Sequence, residues 1–152
     1  MSDAQGFRHE PDPDFPGWYT WELVEPGRFN TLLFPRLLVR RDDDGTARLR
    51  FLPDRSHSNL AENVHGGAIL ALIDIALFAC SRMLGVADVA RAVTLDLSVQ
   101  FIGPGKVDQP CDAVTQVLRE TRRLAFIRGT VEQDGGHLVA AFSGTIRKPS
   151  QR

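Results

Sequence analysis

The sequence predicts an α+β domain: a curved antiparallel sheet wrapped round one long central helix. Three observations carry this prediction. The stretch from Val64 to Cys80 is apolar almost throughout and rich in Ala and Leu, which favours helix over strand. Shorter runs with strand-type alternation lie on both sides of it, in the order β-β-α-β-β-β-β. Asp-Gly at 44–45 and Asp-Gly-Gly at 134–136 join neighbouring runs as hairpins, which makes their strands antiparallel. At 152 residues the chain is about one domain, divided as an N-terminal extension (1–28), a main domain (29–148) and a short tail (149–152).

The elements follow in order. Residues 1–17 carry Pro11, Pro13 and Pro16 among acidic residues, a composition that favours an extended, partly disordered segment. Trp18, Tyr19 and Trp21 come next and must bury against the domain or a second subunit. A short helix fits between Glu25 and Leu33, after Pro26. Arg36 to Arg41 and Thr46 to Leu52 form a hairpin in which Ala47, Leu49 and Phe51 alternate with Arg48 and Arg50. A polar loop from Asp54 to Asn63 leads into the apolar helix, which Gly85 stops. In the strand from Ala92 to Ile102, Val93, Leu95, Leu97, Val99 and Phe101 share one face, and Thr94, Asp96, Ser98 and Gln100 the other. Cys111 to Arg119, Leu124 to Gln133 and His137 to Arg147 complete the sheet.

Charge and cysteine usage exclude several function classes. With 18 Lys and Arg against 19 Asp and Glu, the net charge of −1 lacks the basic excess of a nucleic-acid binder. Two cysteines, Cys80 and Cys111, are too few for a disulfide framework and read as reduced packing residues. The N-terminus has no basic region followed by an apolar one, and no run of about 18 uninterrupted apolar residues occurs. The expectation is a cytoplasmic protein with no membrane partner.

One charge stands out. Asp74 is the only charged residue between Gly66 and Cys80, flanked by Leu72, Ile73, Ile75 and Ala76. A carboxylate in such surroundings is costly unless it is paired, hydrated or used. At the start of the same helix, His65-Gly66-Gly67 lets something approach the backbone closely. Free N–H groups of a first helical turn can hold an oxyanion formed from a carbonyl. Gly67 and Asp74 share a helix face, yet lie about 10 Å apart along the axis at 1.5 Å per residue. Reacting groups must lie about 3 Å from the atoms they act on. One helix therefore cannot offer both groups to one carbonyl, whereas two antiparallel copies across a two-fold axis can.

The string Asn59-x5-His65-Gly66-Gly67-x6-Asp74, within this element order, resembles the hotdog-fold acyl-CoA thioesterases of the phenylacetate-pathway (PaaI-like) type. The segment Val93 to Gly105 resembles the strand and loop that follow the helix in that family. The resemblance covers residues 29–148 and implies an antiparallel sheet around a long helix, assembled as homodimers or homotetramers. It implies hydrolysis of an acyl-CoA substrate to acid and CoA, with no cofactor. Asp74 matches the catalytic carboxylate, as general base or nucleophile, and Gly67 the backbone donor to the thioester carbonyl. His65 would orient the loop or contact substrate beside Gly66, and Asn59 would hold substrate or water. Thr94 would lie near the nucleophile, across the dimer interface. Arg122 and Arg123 lie where the family often meets CoA, whose phosphates need cations, and Arg128 is a further candidate.

Other chemistries fit less well. No Gly-x-Ser-x-Gly elbow, Walker-type loop or metal-ligand spacing is present. His9, His57 and His137 read as surface residues. A hotdog hydratase or dehydratase would pair a His with an acid, but His65 and Asp74, nine residues apart, fall on opposite helix faces. A non-catalytic acyl-CoA binding module would have no use for Asp74.

Overall fold

The computed structural model describes residues 6–150. Three short strands come first, β1 (Phe7–Arg8), β2 (Tyr19–Thr20) and β3 (Glu22–Leu23), then helix α1 (Phe29–Leu33). The hairpin β4 (Leu37–Arg41) and β5 (Ala47–Phe51) precedes the long helix α2 (Gly66–Met83). Strands β6 (Val93–Phe101), β7 (Cys111–Glu120), β8 (Leu124–Gln133) and β9 (His137–Arg147) follow. Seven strands form one antiparallel sheet in the order β2-β4-β5-β7-β8-β9-β6, while β1 and β3 pair separately. This is the expected sheet around a central helix.

Alternation decides which side of the sheet meets the helix. In β5, Ala47, Leu49 and Phe51 are buried, and Arg48 and Arg50 point to the outer face. In β9, Ala140, Phe142, Gly144 and Ile146 form the inner row. Helix α2 packs tightly on Gly144, where a Cβ would stand 2.9 Å from Leu77 Cδ1. Helix α2 buries Ile69, Leu72, Ile73, Ala76, Leu77 and Cys80. By length and composition α2 is apolar enough to cross a membrane, but here its apolar sides meet the sheet. It runs one turn beyond the expected span and stops before Gly85, whose φ of +87° suits glycine.

Three expectations need correction. The described part of the N-terminal extension, residues 6–28, is mostly exposed but is anchored at Asp12, Trp18, Thr20 and Trp21, the burial of the two tryptophans being as expected and the ordered proline-rich stretch not. Trp18 is buried on the outer face, with the guanidinium carbons of Arg50 and Arg40 at 4.2 and 4.6 Å from its ring centroid. Asp12 is buried and bound by Arg36, and β2 extends the sheet through Thr20 and Leu38. Residues 1–5 lie outside the described residues, as do 151–152 of the tail.

The second correction concerns β6. Its alternation breaks at a bulge between Thr94 and Asp96. Thr94 pairs with Ile146 and Leu97 with Gly144, both on the inner row, so Thr94 joins Leu97, Val99 and Phe101 on the helix side. Val93 and Leu95, expected on the core face, are 47% and 52% exposed. An inserted residue in one strand has this effect, because side chains alternate with a period of two.

The third is His57, expected at the surface but only 3% exposed. Its ring stacks on Phe34 and meets Phe51 edge-on.

Candidate active site

The N-terminus of α2 is built by His65. This residue is extended (φ −62°, ψ 138°), and its Nδ1 accepts the Gly67 N–H at 2.8 Å. That bond fixes the ring proton on Nε2. The His65 carbonyl accepts the N–H groups of Ala68 and Ile69. Gly67, expected as the carbonyl donor, therefore has its N–H taken within the chain. Among the described residues the Gly66 N–H has no partner. Gly66 is thus the first-turn amide open to a ligand, next to the Phe101 ring. Glycine-pair spacing located the helix start; only the cap geometry tells the two amides apart.

Asn59 stands in the loop before the helix. Its Oδ1 accepts from Ala61 N–H at 2.9 Å and Asn63 N–H at 3.1 Å, an arrangement that holds Glu62 at φ 62°. The side-chain oxygen is therefore spent on the loop, and among the described residues the amide NH2 has no partner. The loop and helix start, with Arg55, Ser58, Asn59, Leu60, Glu62 and His65, line an open cleft.

Asp74 lies two helical turns further along and is half-buried. The Thr94 hydroxyl donates to its Oδ1 at 2.7 Å. The pair forms within one chain, because the bulge turns Thr94 towards α2. Gly66 and Asp74 are eight residues apart, about 12 Å along the helix. Within one chain the open amide and the carboxylate therefore remain separate, as the spacing requires.

Arg122 and Arg123 are exposed in the turn between β7 and β8. Thr121 Oγ1 accepts from the Arg123 and Leu124 N–H groups, and the Arg123 carbonyl accepts from Lys148 N–H. Leu124 pairs with Arg147, which pairs with Val93, so this turn lies at the Thr94 end of the sheet. Arg128 donates to Gln116 Oε1 at 3.3 Å. Among the described residues, no group of three or more His, Cys, Asp or Glu side chains is placed to hold a metal ion.

Comparison with known proteins gives this arrangement a context. The family model of the thioesterase superfamily matches residues 61–140, which span His65, Gly66, Asp74 and Thr94. A mutant of the phenylacetic acid degradation protein PaaI from Thermus thermophilus is 28% identical. Its structure superposes with a TM-score of 0.65 over 80% of this chain and 98% of that one. PaaI from E. coli, at 19% identity, shares the fold with a TM-score of 0.68, covering 82% of this chain and 86% of its own. A hypothetical thioesterase from Streptococcus pneumoniae, solved with coenzyme A, does so at 21% identity and 0.68, over 80% and 91%. No curated protein matches significantly. The chain belongs to the thioesterase superfamily, as a PaaI-like thioester hydrolase of the hotdog fold.

Proposed function

We propose that the protein hydrolyses acyl-CoA thioesters to a carboxylic acid and free CoA, at sites shared between two copies of the chain. The observation that carries this reading is the Asp74–Thr94 pair on a helix whose own first turn leaves the Gly66 N–H open. The S. pneumoniae relative's bound coenzyme A supports the choice of thiol. A second copy is supported by the edge of β6, which is free among the described residues and where Val93, Leu95 and Phe101 are 47%, 52% and 56% exposed. An unpaired apolar strand edge is a template for pairing. An antiparallel partner helix brings Gly66 of one copy towards Asp74 of the other.

The chemistry needs few groups. The Gly66 N–H polarises the thioester carbonyl and holds the oxyanion. Asp74, with Oδ1 steadied by Thr94, has an Oδ2 that is free among the described residues for the carbonyl carbon or for a water. In the water route, water oxygen bonds to carbon while its proton passes to Asp74. The tetrahedral oxyanion then collapses, the C–S bond breaks, and the CoA thiolate leaves and takes the proton. In the direct route, the carboxylate forms a mixed anhydride as thiolate leaves, and water then cleaves it. A good leaving group lets one carboxylate and one amide suffice, with no cofactor. Asn59, through its amide, and His65, through Nε2–H, line the approach. Arg122 and Arg123 meet the CoA phosphates.

The test is thiol release from a panel of aryl, short-chain and long-chain acyl-CoAs, with the Asp74→Asn variant beside the wild type. Expected is release by the wild type on at least one ester and none by the variant. An absorbance change with crotonyl-CoA and no thiol release would instead assign hydratase chemistry. Tight ester binding without turnover would assign a binding module. Oxygen-18 water in a single turnover separates the two hydrolytic routes.

A further inference from the structure

We infer that His57 is a positioning residue, which holds the Asn59 loop and the start of α2 in register for catalysis. It lies outside the motif that carries the chemistry, and it is not exposed to substrate. Three segments converge on it. The Asp54 N–H donates to Nδ1 at 3.1 Å, so the ring proton sits on Nε2, which donates to the Leu33 carbonyl at 2.6 Å. Its own carbonyl accepts the His65 N–H at 2.7 Å. The ring is wedged between Phe34 and Phe51. Asp54 Oδ1 accepts from the Ser56 N–H and hydroxyl and lies 3.3 Å from His57 Nδ1, so the same residue braces both the turn and the ring.

These bonds place His57 at the base of the loop that carries Asn59. Residues 58 and 64 bridge across the loop, Asn59 N–H donates to the Asn63 carbonyl, and His65 closes it onto His57. Loop, cap and open amide therefore share one anchor, and that anchor is tied through Nε2 to the end of α1. Without the Nε2 bond, the base of the loop is free to shift relative to the sheet. Asn59, His65 and Gly66 then move together. A displacement of about 1 Å in such groups can cost up to about 100-fold in rate.

The kinetic arm of the test rests on the proposed function; a spectroscopic arm does not. His57→Phe keeps a ring between Phe34 and Phe51 but has no hydrogen-bonding nitrogen. His57→Gln carries an amide donor near the position of Nε2. Val131→Ala, in the core on β8, serves as a control of comparable melting loss. For His57→Phe the expected result is a fall in kcat of about tenfold or more with KM within about threefold. His57→Gln recovers most of that loss, and Val131→Ala keeps wild-type kcat. His57→Phe combined with Asn59→Ala costs less than the product of the two single losses, since both act through one loop.

In the free protein, the backbone amide resonances of Gly66 and Gly67 shift in His57→Phe and return towards wild type in His57→Gln. Unmoved glycine amides in His57→Phe overturn the inference, as does kcat falling in Val131→Ala in step with its melting temperature. If the wild type releases no thiol from any ester, the proposed function fails, and the glycine amides alone decide the role of His57.

Discussion

The Thr94 hydroxyl donates to Asp74 Oδ1 at 2.7 Å within one chain. Thr94 therefore belongs with the carboxylate of its own chain. A hydrogen bond to a charged group is worth about 1.5–3 kcal/mol, so Thr94→Ala is expected to lower kcat about 10- to 100-fold. Thr94→Ser, which keeps the hydroxyl, should recover most of it. Mixed dimers of Thr94→Ala and Asp74→Asn chains then stay at or below the residual Thr94→Ala level, because each site lacks one member of the pair. Recovery of activity on mixing would place Thr94 across the interface.

The open amide of Gly66 gives a second test. Proline is tolerated at the first position of a helix, where it removes only an N–H that has no intrahelical acceptor. The preceding His65, at φ −62° and ψ 138°, already has the conformation a residue before proline prefers. Gly66→Pro should therefore fold and cap normally while losing about 10²- to 10³-fold in kcat, the usual cost of an oxyanion donor. Gly66→Ala keeps the N–H, and its Cβ would meet the Phe101 ring at 3.4 Å, an ordinary contact. Alanine should thus be far milder than proline. Mixing Gly66→Pro with Asp74→Asn chains should restore about a quarter of wild-type activity, since half the random dimers are mixed and each carries one intact site. No recovery on mixing would mean that one chain holds the whole site.

The sequence made the helix, the hairpins and the isolation of Asp74 legible, because hydrophobic period and turn residues act locally. Three features were not legible, each for a definite reason. The strict alternation from Val93 to Phe101 conceals the bulge before Asp96. A bulge is defined by pairing with β9, and no residue in β6 announces it. The choice between Gly66 and Gly67 depends on the rotamer of His65, which residue order does not encode. That Trp18 buries was legible, but its place between Arg40 and Arg50 is a long-range contact that residue order does not encode. His57 did carry a local signal: Asp54, three residues earlier, caps the turn that holds it.

Both cysteines are free and buried. Burial pushes the Cys80 thiol up to about 12, and burial together with the neighbouring Asp112 carboxylate does the same for Cys111. Only thiolate reacts quickly with disulfide reagents and alkylating agents. At pH 8 the native protein should therefore consume no aromatic disulfide reagent over the course of an assay, and two equivalents after denaturation. Native thiol release from acyl-CoA can then be followed with that reagent against a flat protein background. Rapid labelling of the native chain would show that α2 or β7 opens readily from the sheet.

The N-terminal segment is tied to the domain by charge as well as by Trp18. Arg36 Nη2 contacts both Asp12 carboxylate oxygens, at 2.7 and 2.8 Å. The Arg36 guanidinium, joined by the N–H groups of Asp14 and Phe15, holds the Asp12 carboxyl below its ordinary range. Because the folded value is depressed, the ionised form stabilises the fold above the unfolded aspartate value of about 3.9. That contribution is lost as pH falls from there through the lower, folded value, where the native state also takes up the proton. Asp12→Asn should melt below wild type by a constant margin between about pH 5 and pH 8, and the margin should shrink below about pH 4. Thermal melts of the two proteins across that range measure it, and the subtraction cancels every carboxylate they share. A margin that persists undiminished at about pH 2.5 would assign the loss to shape or to the Asp14 and Phe15 bonds rather than to the charge on Asp12.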